Sequence, residues 1–270
     1  MIRELMALTK RELLRLARNP QALGTSLLLP ILYLLLFGQG FNFGKYASAG
    51  VVLGAPTYFS YFAAGMAGFV AVTATLFIGA NVIFDRLFGI LKRISSTPAS
   101  SLSIFGSRLL AGMIQPVGLA FLVLGLAIGL PHIGLSGLVV TASIGVLGAV
   151  EVLLAIVVLS AMFASLFLAI GFSVEQPQTY FAVVNAINLP VLLTSAALYP
   201  WGFMPAWLQS IASYNPVTLA IEVVRINLFA GAASYYPYSS WVYLLGLLGW
   251  AAAMILIAAL LARRALGPRH

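Results

Sequence analysis

Apolar residues run along this chain in long blocks, and no ten-residue alternating strand pattern interrupts them. Blocks of the length that crosses a bilayer, about 20 residues at a rise of about 1.5 Å each, lie near residues 22–41, 57–84, 109–131, 138–172, 181–199 and 242–262. Backbone amides inside hydrocarbon must be satisfied within their own segment, so the blocks predict helices. The pattern thus predicts an all-α integral membrane protein with six transmembrane helices. The second and fourth blocks exceed one straight crossing, which predicts tilt, bends or protruding ends there.

Between the blocks the pattern changes period. Residues 2–18 read as an amphipathic helix, with Ile2, Leu5, Met6, Thr9, Leu13, Leu16 and Ala17 on one stripe and the charges elsewhere, while Leu8 and Leu14 break the stripe. Asn19-Pro20 ends it, because a residue before proline is pushed out of the α region. Such a helix suits either an anionic lipid surface or a docking role for another protein. Pro30, Pro116 and Pro190 fall inside predicted spans and remove a backbone hydrogen bond each. Pro131-His132-Ile133-Gly134 predicts a tight turn.

Two connections are unusual. Residues 85–107 hold three cations, with a fourth, Arg108, directly after them, and the run Ser95-Ser96-Thr97-Pro98-Ala99-Ser100-Ser101, which predicts a helix end, a break, and a further helix with Thr97 as cap and Pro98 as first residue. Residues 199–240 remain largely apolar although they lie between spans. Met204-Pro205-Ala206-Trp207 opens one short helix there, and Asn215-Pro216 opens a second that Gly231 ends. Each is too short to span, so the segment predicts a re-entrant or interfacial helical hairpin before the last crossing. Within it, Glu222 and Arg225 stand at i,i+3 and are expected to pair.

Composition agrees with this picture: 62% of residues are hydrophobic and 7% charged, against about a quarter charged in soluble domains. The net charge of +8 would suggest nucleic acid in a soluble protein, but its distribution decides otherwise. Of 14 cations, 12 fall before span one, between spans two and three, or after span six; only Lys45 and Arg225 fall on the opposite side. The positive-inside rule therefore places both termini in the cytoplasm. Trp201, Trp207, Trp241 and several tyrosines mark the outer interface. The chain contains no cysteine, which excludes disulfides and thiol chemistry. Span one follows a charged helix, is full length and lacks a small-residue cleavage site, so it is expected to remain as an anchor.

Candidate chemistry is sparse. His132 and His270 are too isolated for a metal site, and neither a Ser/His/Asp set nor HExxH is present. No catalytic residue and no metal site is therefore assigned. Gly38-Gln39-Gly40-Phe41-Asn42-Phe43-Gly44-Lys45-Tyr46 fails as a phosphate loop on glycine spacing and on Tyr46 where Ser or Thr belongs, so ATP hydrolysis would have to come from another chain. Glu151 is the one ionisable residue expected well inside a span, where a charge costs about 2.5–3.5 kcal/mol. It is either a transport-site residue or a hydrogen-bonded glutamate facing the bundle or a partner subunit. Asn185, Asn188 and Thr194 are milder polar candidates, and Phe59 and Phe62 are aromatic candidates for a substrate path. The lack of a second intramembrane charge argues against an ion-coupled carrier.

The residues Phe84-Asp85-Arg86-Leu87-Phe88-Gly89-Ile90-Leu91-Lys92-Arg93-Ile94-Ser95-Ser96-Thr97-Pro98-Ala99-Ser100 resemble the acid-Arg-acid-aromatic-Gly-x-Leu and Thr-Pro-x-Ser motifs of the type-2 ABC exporter permeases, with Leu87 in place of the second acid. Leu198-Tyr199-Pro200, Met204-Pro205-Ala206-Trp207-Leu208, Tyr214-Asn215-Pro216-Val217-Thr218 and Glu222-Val223-Val224-Arg225 resemble a second set of that family's motifs at matching spacing. The resemblance covers nearly the whole chain as a single transmembrane domain, weakest in span four and the tail. It implies a homo- or heterodimer of permease subunits in the plasma membrane of a bacterium or archaeon. It also implies two separate ATP-binding subunits that carry ATP and Mg, with no cofactor on this chain and no nucleic-acid partner. On the same resemblance Arg11, Arg15, Asp85, Arg86, Gly89, Lys92, Arg93 and Pro98 would couple to those subunits, through residues 1–20 and a coupling helix near Lys92 to Ser103. Pro205, Trp207, Asn215, Pro216, Glu222 and Arg225 would form an outer gate. The cargo expected is a hydrophobic or amphipathic small molecule, such as a drug or antibiotic, with a polysaccharide or lipid-linked glycan as the alternative.

Overall fold

The computed structural model describes residues 2–18, 20–40, 54–95, 100–230 and 237–266, and among them the secondary structure is helical without a strand. In chain order the helices are α1 (Ile2–Ala17), α2 (Pro20–Gly40), α3 (Tyr58–Thr73), α4 (Leu76–Leu87), α5 (Ile90–Ser95), α6 (Ser101–Gly129), α7 (Val146–Ser173), α8 (Pro177–Leu193), α9 (Ala206–Tyr214), α10 (Pro216–Leu228) and α11 (Ser240–Leu266). Four stretches are long and apolar enough to cross a membrane: Tyr58–Leu87, Ser101–Ile133, Val146–Ser173 and Ser240–Ala265. The two other expected crossings fall on α2 and α8, helices of 21 and 17 residues. At about 1.5 Å per residue α8 reaches about 26 Å, slightly less than the hydrocarbon thickness of about 30 Å.

α7 is the central post. It packs against α11, α4, α6, α10 and α3, and on its inner face Ala155, Leu159, Phe163 and Phe167 are fully buried. Lipid gives packed helices no hydrophobic driving force, so close backbone approach carries much of the association. Glycines supply it where helices touch. A Cβ on Gly79 of α4 would collide with the Phe167 carbonyl oxygen of α7, one on Gly65 of α3 with the Ala197 carbonyl oxygen, and one on Gly68 would lie 2.6 Å from Ile221 of α10.

The over-long second block is resolved by a break. α3 ends at Thr73, Ala74 and Thr75 form a turn, and α4 resumes at Leu76. Threonine hydroxyls cause it: Thr73 Oγ1 donates to the Phe69 carbonyl (2.9 Å) and Thr75 Oγ1 to the Val72 carbonyl (2.6 Å), competing with the helical ladder. From α8, Tyr180 donates its hydroxyl to the Leu76 carbonyl at 2.6 Å and pins the break from the side.

The over-long fourth block is not one helix. α7 begins only at Val146, and residues 134–145 form an irregular strap. Leu138 N–H donates to the Ala127 carbonyl (2.9 Å), Val139 N–H to Ser60 Oγ (3.1 Å), and Thr141 and Ala142 N–H to the Leu228 carbonyl (3.1 and 3.2 Å). Leu138 is buried beneath the strap, so its apolar character reflects packing across helix ends, not a crossing. Before it, Leu130–Ile133 form a 3₁₀ turn closed by Gly134 at φ +79, the tight turn expected there.

α1 packs along the start of α6, where Ser103 donates to Glu4 at 3.4 Å and Leu5 reaches to 3.1 Å of the Cβ that Gly106 lacks. Its contact face differs from the expected stripe. Leu5, Leu8, Thr9 and Leu13 are half-buried whereas Met6 is 67% exposed. The face that follows α6 is therefore rotated toward Leu8, which the seven-residue stripe excluded.

Candidate functional site

Three constellations contain nearly all the candidate residues. The first sits where α4, α6 and α7 end together. Asp85, fully buried, pairs with Arg108 of α6 at 2.6 Å, and Arg108 is itself 4% exposed. Arg86 turns the other way and donates to the Phe172 and Val174 carbonyls, both at 3.1 Å, capping the unsatisfied end of α7. Both residues expected to couple to a partner thus bond within the bundle, Asp85 across to α6 and Arg86 to the end of α7. The reason is geometric: Asp85 and Arg108 are 23 residues apart and meet because the chain reverses direction between α4 and α6.

The reversal begins at Gly89, at φ +69 with nothing within 4 Å of a would-be Cβ; its place rests on backbone conformation rather than packing. It leads into α5, which ends at Ser95, while the next helix begins at Ser101 with Ser100 Oγ accepting from Ser103 N–H at 3.1 Å. Thr97 and Pro98, the expected cap and first residue, lie outside the described residues, as do the side chains of Arg15 and Lys92. What this end presents outward is Leu87 (61% exposed), Phe88 (73% exposed) and exposed Arg93, with Arg11 half-buried on α1.

The second constellation closes the opposite end. α9 and α10 form the predicted hairpin of short helices, and Asn215 caps α10 by accepting from Val217 N–H at 2.9 Å. Its amide also donates to the Val191 carbonyl (2.7 Å) and Thr194 Oγ1 (3.1 Å), tying α10 to the end of α8. Glu222 and Arg225 do not bond each other as their spacing suggested. Glu222 accepts from the Trp201 indole, whereas Arg225, fully buried, donates to the Ala196 carbonyl (2.9 Å), the Tyr61 carbonyl (3.0 Å) and the Ala197 carbonyl (3.4 Å). Its guanidinium carbon lies 3.4 Å from the centre of the Tyr61 ring, a cation–π contact made by a fully buried side chain. Tyr61 in turn donates to the Ala196 and Tyr199 carbonyls at 2.9 and 3.0 Å. The non-helical segment 195–200 is therefore clasped by α3 and α10, and irregular backbone survives there because its carbonyls find protein donors. Pro216 is buried at the head of α10, while Pro205 and Trp207 lie exposed on α9, apart from the clasp.

Glu151 belongs to neither cluster. It sits in the second turn of α7, about 7 Å from that helix's start, and accepts from Asn227 of α10 at 2.9 Å. The expectation of a residue deep in a span is corrected, because the fourth block begins with the strap rather than with helix.

The third constellation is a cavity of about 780 Å³ between α2, α3–α4 and α8. Tyr33, Phe37, Tyr58, Phe62, Phe69 and Phe77 supply an aromatic wall, and no charged side chain is among its lining residues. Its volume is typical of small-molecule sites. Of the expected path residues it gathers Phe62, Asn185 and Asn188. It excludes three. Phe59 fills the space at Gly38 of α2, Thr194 is engaged by Asn215, and Glu151 pairs with Asn227.

Residues 3–229 match the family described as ABC-2 type transporter. The chain belongs to that family. It is 30% identical to ycf38 of Cyanophora paradoxa, described as a candidate transport permease, over 90% of this chain and 77% of that protein. It is 25% identical to the daunorubicin resistance ABC transporter permease DrrB1 of Streptomyces coeruleorubidus (84% of this chain, 75% of that protein). It is 24% identical to DrrC of Mycobacterium tuberculosis, described as a candidate doxorubicin resistance permease (93% and 83%). Members of the ABC-2 family are membrane-embedded transport permeases that work with ATP-binding subunits. As an ABC-2 permease, this chain needs a passage and a coupling surface rather than a catalytic centre. Sequence reasoning missed Tyr61, Trp201, Thr218 and Arg108, which complete the two braces; Thr218 Oγ1 accepts from Ala196 N–H at 3.0 Å. Only the pairing of helices makes them visible.

Proposed function

We propose that this chain is the permease subunit of an ATP-driven exporter of hydrophobic or amphipathic small molecules, of the drug or antibiotic type. The observation that carries the cargo class is the uncharged, aromatic cavity of about 780 Å³. A glycan carries hydroxyls on every ring and calls for rows of polar partners; this wall offers two asparagines, a threonine and tyrosine hydroxyls among aliphatic and aromatic groups. The names of DrrB1 and DrrC, which refer to daunorubicin and doxorubicin resistance, support the same class.

In this reading the chain crosses the plasma membrane of a bacterium or archaeon six times, with α2 and α8 as the two shorter crossings. The cation-rich end, with α1, α5 and both termini, faces the cytoplasm. Two copies, or this chain and a paralogue, stand over two ATP-binding subunits that hold ATP and Mg. Leu87, Phe88, Gly89, Arg93 and Arg11 form the coupling surface together with Arg15, Lys92 and Pro98. The buried Asp85–Arg108 pair and the Arg86 cap make that surface continuous with α4, α6 and α7, so motion of an ATPase enters the bundle through rigid elements. At the outer end the α9–α10 hairpin forms the gate, and Asn215, Glu222 and Arg225 brace it from within.

The test is co-expression with the ATP-binding chain encoded alongside, followed by transport in proteoliposomes with a lipophilic aromatic dye. ATP-dependent dye movement that disappears with Phe88→Asp, while the purified permease keeps its unfolding temperature, is the expected result. Movement that needs an ion gradient but no ATP-binding chain would overturn the reading in favour of a secondary carrier.

A further inference from the structure

Asparagine is costly in hydrocarbon unless its amide is used. Elsewhere in the bundle it is used: Asn215 makes three hydrogen bonds through its amide and Asn227 two. Asn188 is different. It is 5% exposed, it lines the cavity, and its Oδ1 is sealed in protein without a donor. With the oxygen enclosed, the part of the amide that meets the cavity is the Nδ2 end, and no acceptor among the described residues takes its hydrogens. Asn185, one helical turn away, lines the same cavity but is exposed. The other buried polar atoms without partners, on Ser160, Glu222 and Arg225, do not line it.

We propose that Asn188 is the specificity-determining residue of this cavity, donating from Nδ2 to a carbonyl-class acceptor on an otherwise apolar, planar ring ligand. The inference rests on the cavity being the cargo site and adds what the cavity selects. The aromatic wall binds any flat apolar molecule of suitable size, because stacking and dispersion do not discriminate among ring systems. A single hydrogen-bond donor in such surroundings discriminates strongly, since a ligand lacking the acceptor leaves the amide unpaired. The absence of charged lining residues gives an anionic ligand no counter-ion and points to an uncharged acceptor.

Two probes of one ring shape test this. The full chain in phosphatidylcholine nanodiscs is dialysed against 9-fluorenone or fluorene, which differ by one carbonyl, with protein-free nanodiscs subtracting partition into lipid. Wild type is expected to bind fluorenone about tenfold more tightly than fluorene, the size of one neutral hydrogen bond. Asn188→Leu is expected to bind both at the fluorene level, and Gly249→Ala, outside the cavity and with nothing within 4 Å of the added methyl, to keep the preference. Saturable binding of both probes with equal affinity by wild type overturns the role of Asn188 and leaves the cavity as a site. A preference that survives Asn188→Leu does the same. No saturable binding of either probe overturns the cargo site and this inference together. Because the wild-type ratio decides by itself, a variant that fails to fold does not protect the proposal.

Discussion

The buried Arg225 is held by carbonyls and an aromatic face rather than by a carboxylate, and the consequences of that choice are testable. A guanidinium offers five N–H donors in a fixed fork, which suits several carbonyls converging from one irregular segment. Lysine offers one point of charge and cannot span them. Arg225→Met leaves the Ala196, Ala197 and Tyr61 carbonyls without this donor in a place water does not reach, and should cost roughly 3 kcal/mol. Arg225→Lys should recover less than half of the loss, read as the unfolding temperature in detergent. At the other end, Asp85 and Arg108 form a buried ion pair of the ordinary kind. Asp85→Asn should cost about 3–5 kcal/mol because Arg108 is left charged and buried, whereas the double change Asp85→Leu with Arg108→Met should recover most of it. A thermal-denaturation double-mutant cycle measures this, and additive losses would contradict the pairing. Sequence reading placed Arg225 correctly on a short helix and misjudged its partner, because i,i+3 spacing shows which side chains can meet and says nothing of carbonyls from another segment. Asp85 was legible as a motif residue, but its partner 23 positions away was not.

Among the elements, the break between α3 and α4 and the glycine seam below it divide the labour of one long crossing. Above the break, α3 is fitted to the segment 195–200 through Gly65 and to α10 through Gly68; below it, α4 is fitted to α7 through Gly79. Thr73, Ala74 and Leu76 at the break also line the cavity. The break, with Tyr180 bonded to its Leu76 carbonyl, thus lies between the cavity and the end that carries α5. Gly79→Ala drives a methyl into the Phe167 carbonyl and should destabilise the protein by about 1–3 kcal/mol. Gly249→Ala, with nothing within 4 Å of the added methyl, should be silent in the same melting experiment. The sequence announced a long block needing a bend, and the bend is there. It did not reveal that threonines rather than a proline make it, since Pro116 and Pro190 lie inside α6 and α8 without ending them. The fourth block misled for a related reason. Hydropathy reports that residues avoid water, and a strap packed over helix ends avoids water as well as a crossing does.

For the whole molecule, the arrangement is a bundle with two unlike ends: ion pairs and cations at one, a clasped hairpin under aromatic residues at the other. The proposed function turns the first toward the cytoplasm, and the lack of any native cysteine makes that orientation directly measurable. Single cysteines at Arg93, Arg264, Trp207 and Tyr238, all exposed, report the side of each end through a membrane-impermeant maleimide on intact cells. Trp207→Cys and Tyr238→Cys should label without permeabilisation, and Arg93→Cys and Arg264→Cys only after it. Trp207 on the hairpin and Tyr238 before α11 share the outer end in this fold, so they must label together. If Trp207→Cys labels while Tyr238→Cys does not, a membrane separates two residues that the fold places at one end, and the α9–α10 segment between them is a crossing rather than a hairpin at the outer face. If instead Arg93→Cys and Arg264→Cys label on intact cells and Trp207→Cys and Tyr238→Cys only after permeabilisation, the whole bundle is inverted and the hairpin, not α5, faces the ATP-binding subunits. The same variants extend the assay to coupling. Arg93→Cys, once permeabilised, should become protected when the ATP-binding chain is co-expressed, while Arg264→Cys, at the far end of α11, serves as the reference for general access. Protection confined to Arg93 would tie the short helix after Gly89 to the partner that drives transport, and unchanged labelling at both would separate the cation-rich end from that role.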